Sequence, residues 1–423
     1  MAPVHRGLLS RVAWLLCAAA LGCSGQVHVP PPVCSAPQGS AADAQQLATA
    51  DTDFALAFYP SAVTAAGAGQ NLIVSPYSVS ATLTMVDTGA AGETDAQIQS
   101  VLHLPGNGAT IAPAYAALAC ADETDGTGNG NQLSLANTVW TQQGATFEPA
   151  FLSVLSTGYD APLQQVDFAG DTAGAESDIN AWVSQQTQGQ IPALLQGGDI
   201  SAKTRLVLVD AVYFKGKWAA AFDASRTAPQ PFTLPDGTQA SVPTMSGTVN
   251  LGTGQATGLS VYELPYQGGA LAMDFLLPTK GGSLASLETS LTGDSLTAAL
   301  SSIAPAQQVE LLLPKFSFQT RLELAPLLAA MGMPDLFDPT KANLSGMDGA
   351  EDLSVDDVVQ VATVEVDESG TVATAATSAD TCSCEGEEVP PTVAIDEPFV
   401  FLIRDTRSGS ILFIGHVVDP RQG

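Results

Sequence analysis

Side chains able to do chemistry are scarce in this chain. Of four histidines, only His103 and His416 lie beyond the N-terminal segment. His103 closes a helical pattern and His416 sits in an apolar run, so a structural role suits each better than a catalytic one. There is no H-E-x-x-H pair, no nucleophile elbow and no phosphate loop. Asp352, Asp356 and Asp357 form an acidic loop without the spacing of a calcium loop. The expectation is no enzyme, no cofactor and no metal site.

The most distinctive stretch runs from Glu365 to Ala379. A β-branched run, Val358 to Val366, reads as a strand. Glu368-Ser369-Gly370 then makes an acidic turn in which Gly370 frees the backbone to hinge. Thr371-Val372-Ala373-Thr374-Ala375-Ala376-Thr377-Ser378-Ala379 has no charge, proline or ring. Its alternate positions Thr371, Ala373, Ala375, Thr377 and Ala379 form a small-residue face. Such a segment can lie exposed as an Ala/Thr/Ser linker or slot between two strands without a clash. Cys382-Ser383-Cys384 and the acidic run Glu385-Gly386-Glu387-Glu388 follow it.

The elements that must carry this stretch are legible in outline. Ala44 to Ala62 has a helical apolar pattern. Asn71 to Val74 is a short strand, and Ser75-Pro76 starts a helix with Ser75 as its cap. Gly89 to Thr94 breaks that helix, and another runs to Leu102. Ala121 to Asn131 is polar and Gly-rich, which predicts a loop. Leu133 to Trp140 reads as a strand and Ala175 to Gln188 as a helix. Thr204 to Phe214 is apolar at nearly every position, as in a strand buried on both faces. Leu259 to Pro265 and Leu271 to Pro278 flank a Gly268-Gly269 turn. Val309 to Phe318 reads as one strand, Leu322 to Met331 as a helix closed by Gly332, and Phe399 to Arg404 with Ser410 to Val417 as a hairpin.

The 423 residues are 45% hydrophobic and carry a formal charge of −29 with 14 basic residues. That balance argues against nucleic acid and anionic lipid surfaces as partners. Residues 1–22 read as a signal peptide: basic residues precede a short apolar run, Val12 to Leu21, too short to span a bilayer. Ala20-Leu21-Gly22-Cys23 resembles a bacterial lipoprotein cleavage box, with Cys23 as the lipid anchor; the alternative is an ordinary secretory signal. Residues 23–45, with Pro30-Pro31-Pro32, read as a tether. The expected location is extracellular or on the cell envelope, with membrane contact only through Cys23. Export permits disulfides among Cys34, Cys120, Cys382 and Cys384, in three pairings that sequence cannot rank. Exposed Cys382 and Cys384 are also candidates for a redox-sensitive clamp on the loop.

Several motifs, in order, resemble one family, the serpins (the serine protease inhibitor superfamily), in the manner of an exported bacterial member. They are Asn71 to Leu104, Asp210-Ala211-Val212-Tyr213-Phe214-Lys215-Gly216-Lys217-Trp218, Leu264-Pro265-Tyr266, Leu313-Pro314-Lys315-Phe316, Glu365 to Thr377, and Pro398-Phe399 through Ile414-Gly415. The resemblance covers residues 46–420 and implies an α+β, multi-sheet fold. Its features are three β-sheets, eight or nine helices and an exposed reactive-centre loop over about 368–397.

It also implies a suicide-substrate inhibitor of a serine, or cysteine, endopeptidase, acting as a monomer. The cleaved loop would enter the main sheet as a strand and trap the acyl-enzyme. The alternative is a non-inhibitory serpin with a binding or structural role. Fourteen positions beyond Gly370 the reactive bond falls at Cys384–Glu385; Ser383 and Glu387 are the alternatives. The hinge would be Glu368, Ser369, Gly370, Thr371, Val372, Ala373, Thr374, Ala375 and Ala376. The sheet-opening region would comprise Ser75, Ser78, Asp210, Trp218 and Gln360. Departures from the family pattern are Val372 where glutamate is common, Thr374 in the alanine run, Asp210 for asparagine and Gln360 for histidine. A Gln–Asp pair can still hydrogen-bond, and a buried Asp210 would need that partner.

Overall fold

The computed structural model describes residues 39–67, 69–127, 130–161, 163–371 and 390–422, with Thr371 described by its backbone alone. The signal peptide, Cys23, Cys34 and positions 372–389, including Cys382, Cys384 and the reactive bond, lie outside the described residues.

The chain opens with α1 (Ala41–Ala66), β1 (Leu72–Val74), α2 (Pro76–Asp87), α3 (Gly92–Val101) and α4 (Gly108–Gly126). Then come β2 (Gln132–Gln142), α5 (Pro149–Gly158), β3 (Gln164–Val166), α6 (Thr172–Gln186) and β4 (Leu206–Lys217). The middle holds β5 (Ala228–Thr233), β6 (Gln239–Ala256), β7 (Leu259–Pro265), β8 (Leu271–Pro278), α7 (Leu284–Ser290) and α8 (Gly293–Ser301). The last third is β9 (Ala304–Pro314), β10 (Phe316–Glu323), α9 (Ala325–Met331), α10 (Ser345–Asp348), β11 (Asp357–Val366), β12 (Gly370–Thr371), β13 (Thr392–Ala394), β14 (Phe399–Asp405) and β15 (Ile411–Val417).

Two hydrogen-bonded sheets result. The smaller has the order β10-β11-β4-β2-β3, with β12 on β4. The larger has the order β1-β15-β14-β8-β7-β6-β9-β13, with β5 on β6. The long β6 belongs to both halves of the larger sheet: 239–251 pair with β5 and β9, and 252–256 with β7, Thr253 also pairing with Ala304 of β9. The β6–β9 register shifts between Leu251 and Thr253. Divided there, the larger sheet supplies two of the three sheets expected, and the described residues hold ten α-helices against the eight or nine expected.

β4 explains its own sequence. Val207, Val209 and Ala211 pack beneath Ile179 and Val183 of α6, while Leu208, Val212 and Phe214 face the main core. Burial on both faces is why the apolar alternation vanishes. Asp210 alone interrupts the inner face.

Three boundaries differ from the sequence reading. Residues 121–126, expected as loop, extend α4. Buried Asp122 accepts from Ser408 Oγ at 2.8 Å, and Asp125 pairs with Arg407, so tertiary contacts override the weak helix propensity. The single strand expected over Val309 to Phe318 is two, because the chain turns at Lys315, whose N–H donates to Pro243 O at 2.9 Å. Leu322 and Glu323 belong to β10, paired with Gln360 and Val359, and α9 begins only after Leu324.

Candidate functional site

Strands β11 and β4 run parallel, paired from Asp357↔Val207 to Thr363↔Tyr213. Beyond that point β11 keeps its β10 partner as far as Val366↔Phe316. β4 continues to Lys217, but there its neighbour is β12, antiparallel, with Gly370↔Lys217 and Thr371↔Gly216. The seam between β11 and β4 is therefore shut in its middle and occupied at one end by the root of the segment that starts at Gly370.

That root is held by an unusual density of hydrogen bonds. Asp367 Oδ1 accepts from the N–H groups of Ser369 and Gly370 at 2.8 and 3.2 Å, closing the turn. Trp218 donates Nε1–H to Asp367 O at 2.9 Å and its own N–H to Ser369 O at 3.1 Å. Phe222 N–H reaches Glu368 O at 2.8 Å. The Glu368 carboxylate takes Lys315 Nζ and Thr227 Oγ1, each at 2.6 Å. Burial works against this carboxylate, but the Lys315 and Thr227 hydrogen bonds outweigh it and hold its pKa below the ordinary range. Gly370 has φ +146°, and a Cβ there would stand 1.9 Å from Gly216 O, so only glycine fits. Trp218 stacks on Tyr266 with ring centroids 4.7 Å apart, fixing the floor beneath the turn.

A second group lies mid-seam. Asn137, Asp210 and Gln360 stand in register across β2, β4 and β11. They face the start of α2. Ser75 Oγ accepts from Ser78 N–H at 3.2 Å, capping the helix, and donates to Leu412 O at 2.7 Å. Gln360 Oε1 accepts from Ser75 N–H at 3.1 Å; its Nε2 donates to Ser75 O at 2.9 Å and to Asp210 Oδ2 at 3.2 Å. Ser78 Oγ donates to Asn137 Oδ1. Asp210 is fully buried, and desolvation pushes its pKa up to about 7 against the pull of Ser78 and Gln360.

The sequence-derived set thus divides. Ser75, Ser78, Asp210 and Gln360 come together in the middle of the seam, whereas Trp218 belongs to the root with Glu368, Ser369, Gly370 and Thr371. Val372, Ala373, Thr374, Ala375 and Ala376 lie outside the described residues. Sequence reasoning passed over Asn137, a polar residue in a strand whose register only the fold reveals. It also missed Lys315 and Thr227, although a lysine flanked by Pro314 and Phe316 in an acidic chain was a usable signal.

His103 and His416 share no site. His103 follows α3 with φ +55° and is exposed. His416 on β15 bonds Glu288 at 2.7 Å and Gln70 O at 2.9 Å. Asp356 Oδ2 accepts from the N–H groups of Arg205 and Leu206 at 2.6 and 3.0 Å, a structural clamp at the start of β4. Among the described residues, no group of carboxylates, histidines or cysteines is arranged to hold a metal ion. Cys120 on α4 is disulfide-bonded.

A family profile described as "Serpin (serine protease inhibitor)" matches residues 49–420. The chain belongs to the serpin family. It is 36% identical over 385 residues to a leukocyte elastase inhibitor of Bos taurus, across 89% of this chain and all of that one. An uncharacterized serpin-like protein of Thermococcus kodakarensis is 34% identical over 360 residues, across 85% of this chain and 83% of its own. Among solved structures, thyroxine-binding globulin in complex with thyroxine superposes with a TM-score of 0.78 at 26% identity, over 89% of this serpin and 99% of that chain. The family is one of protease inhibitors, and relatives named as inhibitors span nearly the whole domain.

Proposed function

We propose that this serpin is a suicide-substrate inhibitor of an endopeptidase, a serine enzyme in the first instance and a cysteine enzyme in the second. The observation that carries the reading is Gly370–Thr371 paired antiparallel on β4 above the point where β11 and β4 separate. An incoming strand between β4 and β11 would have this direction and start here. Extending the pairing one for one down β4 brings Ala373 to Phe214, Ala375 to Val212 and Thr377 to Asp210. Opposed residues share a face, so the small-residue face turns inward, onto the core. The protease nucleophile attacks the carbonyl of Cys384, with Ser383 or Glu387 as alternatives, and the amine of Glu385 leaves. Thr371 to Cys384 then enters as a strand, moving the acylated enzyme by roughly 46 Å at about 3.3 Å per residue. At about 1 kcal/mol net per new ladder bond, some ten bonds release on the order of 10 kcal/mol. The relative named as an elastase inhibitor supports a serine protease target, and a small residue at the bond suits a small pocket.

Incubation with a panel of serine and cysteine proteases tests the reading. The expected result is a covalent complex stable in detergent and a released C-terminal fragment that begins at Glu385 by mass spectrometry. Cleavage without a complex would mark a plain substrate, and an uncut loop would favour the non-inhibitory alternative.

We further propose export on the signal at residues 1–22, with Cys23 as lipid anchor and 23–45 as tether to the domain at 46–420. Cys23→Ala should move the protein from the membrane to the soluble fraction, and unchanged fractionation removes the anchor.

A further inference from the structure

The middle of the β4–β11 seam is closed by a carboxyl group with no counter-charge. Asp210 reaches across it by one hydrogen bond, Oδ2 to Gln360 Nε2, while Oδ1 is buried without a partner. The side chains that face it are Ser78 from α2, Asn137 from β2 and Gln360 from β11. None of these titrates near neutrality. Burial is the leading influence on the Asp210 carboxyl, Ser78 and Gln360 oppose it, and no charged neighbour contributes. On the outer face of the sheet α6 presents Ile179 and Val183. A carboxylate enclosed in this way would be an uncompensated charge, whereas the neutral acid is tolerated.

We propose that Asp210 is a proton-operated catch on the β4–β11 seam: the neutral acid keeps the two strands zipped, and the carboxylate, which requires water, favours their parting. Parting the strands breaks the Gln360 bond and wets the group, so the open seam binds the proton less tightly than the closed one. The proton passes to solvent as the seam opens. Because burial lifts the closed-state pKa to about 7 from an ordinary value of 3.8, the closed form has its full advantage below about 3.8, loses it as pH rises toward 7, and loses no more above that. The inference rests on the insertion reading for its purpose, since the incoming strand would enter between these two strands. The catch itself operates without a protease.

Amide hydrogen exchange of the intact protein tests it between pH 4.5 and 8.5, with intrinsic rates divided out. In segments 207–213 and 357–363 the opening equilibrium should rise by up to about tenfold per pH unit as pH climbs from about 4 to 7, the slope of one proton released, and level off above 7, where both forms are ionised. Asp210→Asn keeps the shape and an acceptor for Gln360 but cannot ionise, so its profile should be flat. Three other buried carboxyls, Asp51, Asp87 and Asp122, are raised to about 7, 7 and 8. They lie outside the row and titrate in both proteins, so the difference isolates Asp210. Equal profiles in the two proteins overturn the catch. If the variant does not fold, the native protein still decides: no rise at the seam relative to the β14–β15 amides overturns it. A seam that titrates in a protein forming no protease complex would refute the insertion reading and leave the catch standing. A complex-forming protein with a pH-independent seam would refute the catch alone.

Discussion

Two carboxyl groups bracket the seam and are treated in opposite ways. Glu368, at the root, is ionised and held by a cation; Asp210, mid-seam, is driven toward its neutral form and held by an amide. The root is a region of turns and half-buried lysines, where a charge can be matched. The middle is dry, with Ser75, Ser78, Asp210 and Gln360 all essentially buried. The contrast teaches that one sheet can be kept shut by polar groups at its centre while its end is already committed to a different neighbour. A sheet uniformly apolar along β4 and β11 would lack a marked place to part.

The sharpest way to break the comparison is to stop entry at the root. Thr371→Arg puts a cation on the face that would turn inward during insertion, where an unpaired charge is strongly disfavoured. Covalent complex should fall by on the order of a hundredfold while the loop is still cleaved. The cleaved variant should also lack the rise in Tm expected of the cleaved native protein. A variant that still traps its protease would mean that the hinge does not begin at Gly370.

A smaller effect is expected from the middle. Gln360→Leu removes three hydrogen bonds at once and leaves the buried Ser75 N–H, the Ser75 carbonyl and Asp210 without that partner. Urea unfolding should show a loss of about 2–4 kcal/mol, because stranding buried polar groups costs more than the bonds themselves contribute. A loss below about 0.5 kcal/mol would mean the row is not what holds β11 to β4.

The two regions were not equally legible in the sequence. The hinge stood out because Gly370 and the small residues after it are a local pattern, readable without any partner. The same holds for β4, whose unbroken apolar run predicts burial on both faces, and for the β7–β8 hairpin at Gly268-Gly269. Ser75 was legible as a cap because Ser-Pro before an apolar run is also local. The polar row was not, since Asn137 and Gln360 are neighbours of Asp210 only through strand register, 73 and 150 residues away in sequence. The helix through 121–126 was hidden for the same reason: the Ser408 and Arg407 contacts that hold it come from the far end of the chain. Resemblance to a family supplied Asp210 and Gln360 as places to look, but the Lys315–Glu368 contact required the fold.

The smallest effect belongs to that contact. Lys315 is 36% exposed and Glu368 14% exposed on their side chains, so solvent screens the pair and its worth is about 1 kcal/mol or less. Its pH dependence has the opposite sign to that of Asp210. The pKa of Glu368 lies below its ordinary value of 4.5 in the folded protein. The unfolded chain therefore binds the proton more readily, and the stability this gives is present above 4.5 and lost as pH falls through the folded value. Glu368→Gln keeps a hydrogen-bond acceptor but removes the charge, so it should cost little in acid and the full increment at neutral pH. Unfolding midpoints of the two proteins should therefore converge below about pH 4 and separate by about 1 °C at pH 7. The absence of a gap at pH 7 would mean that Glu368 acts at the root through its backbone bond to Phe222 alone, and that the ionic half of the comparison does not hold.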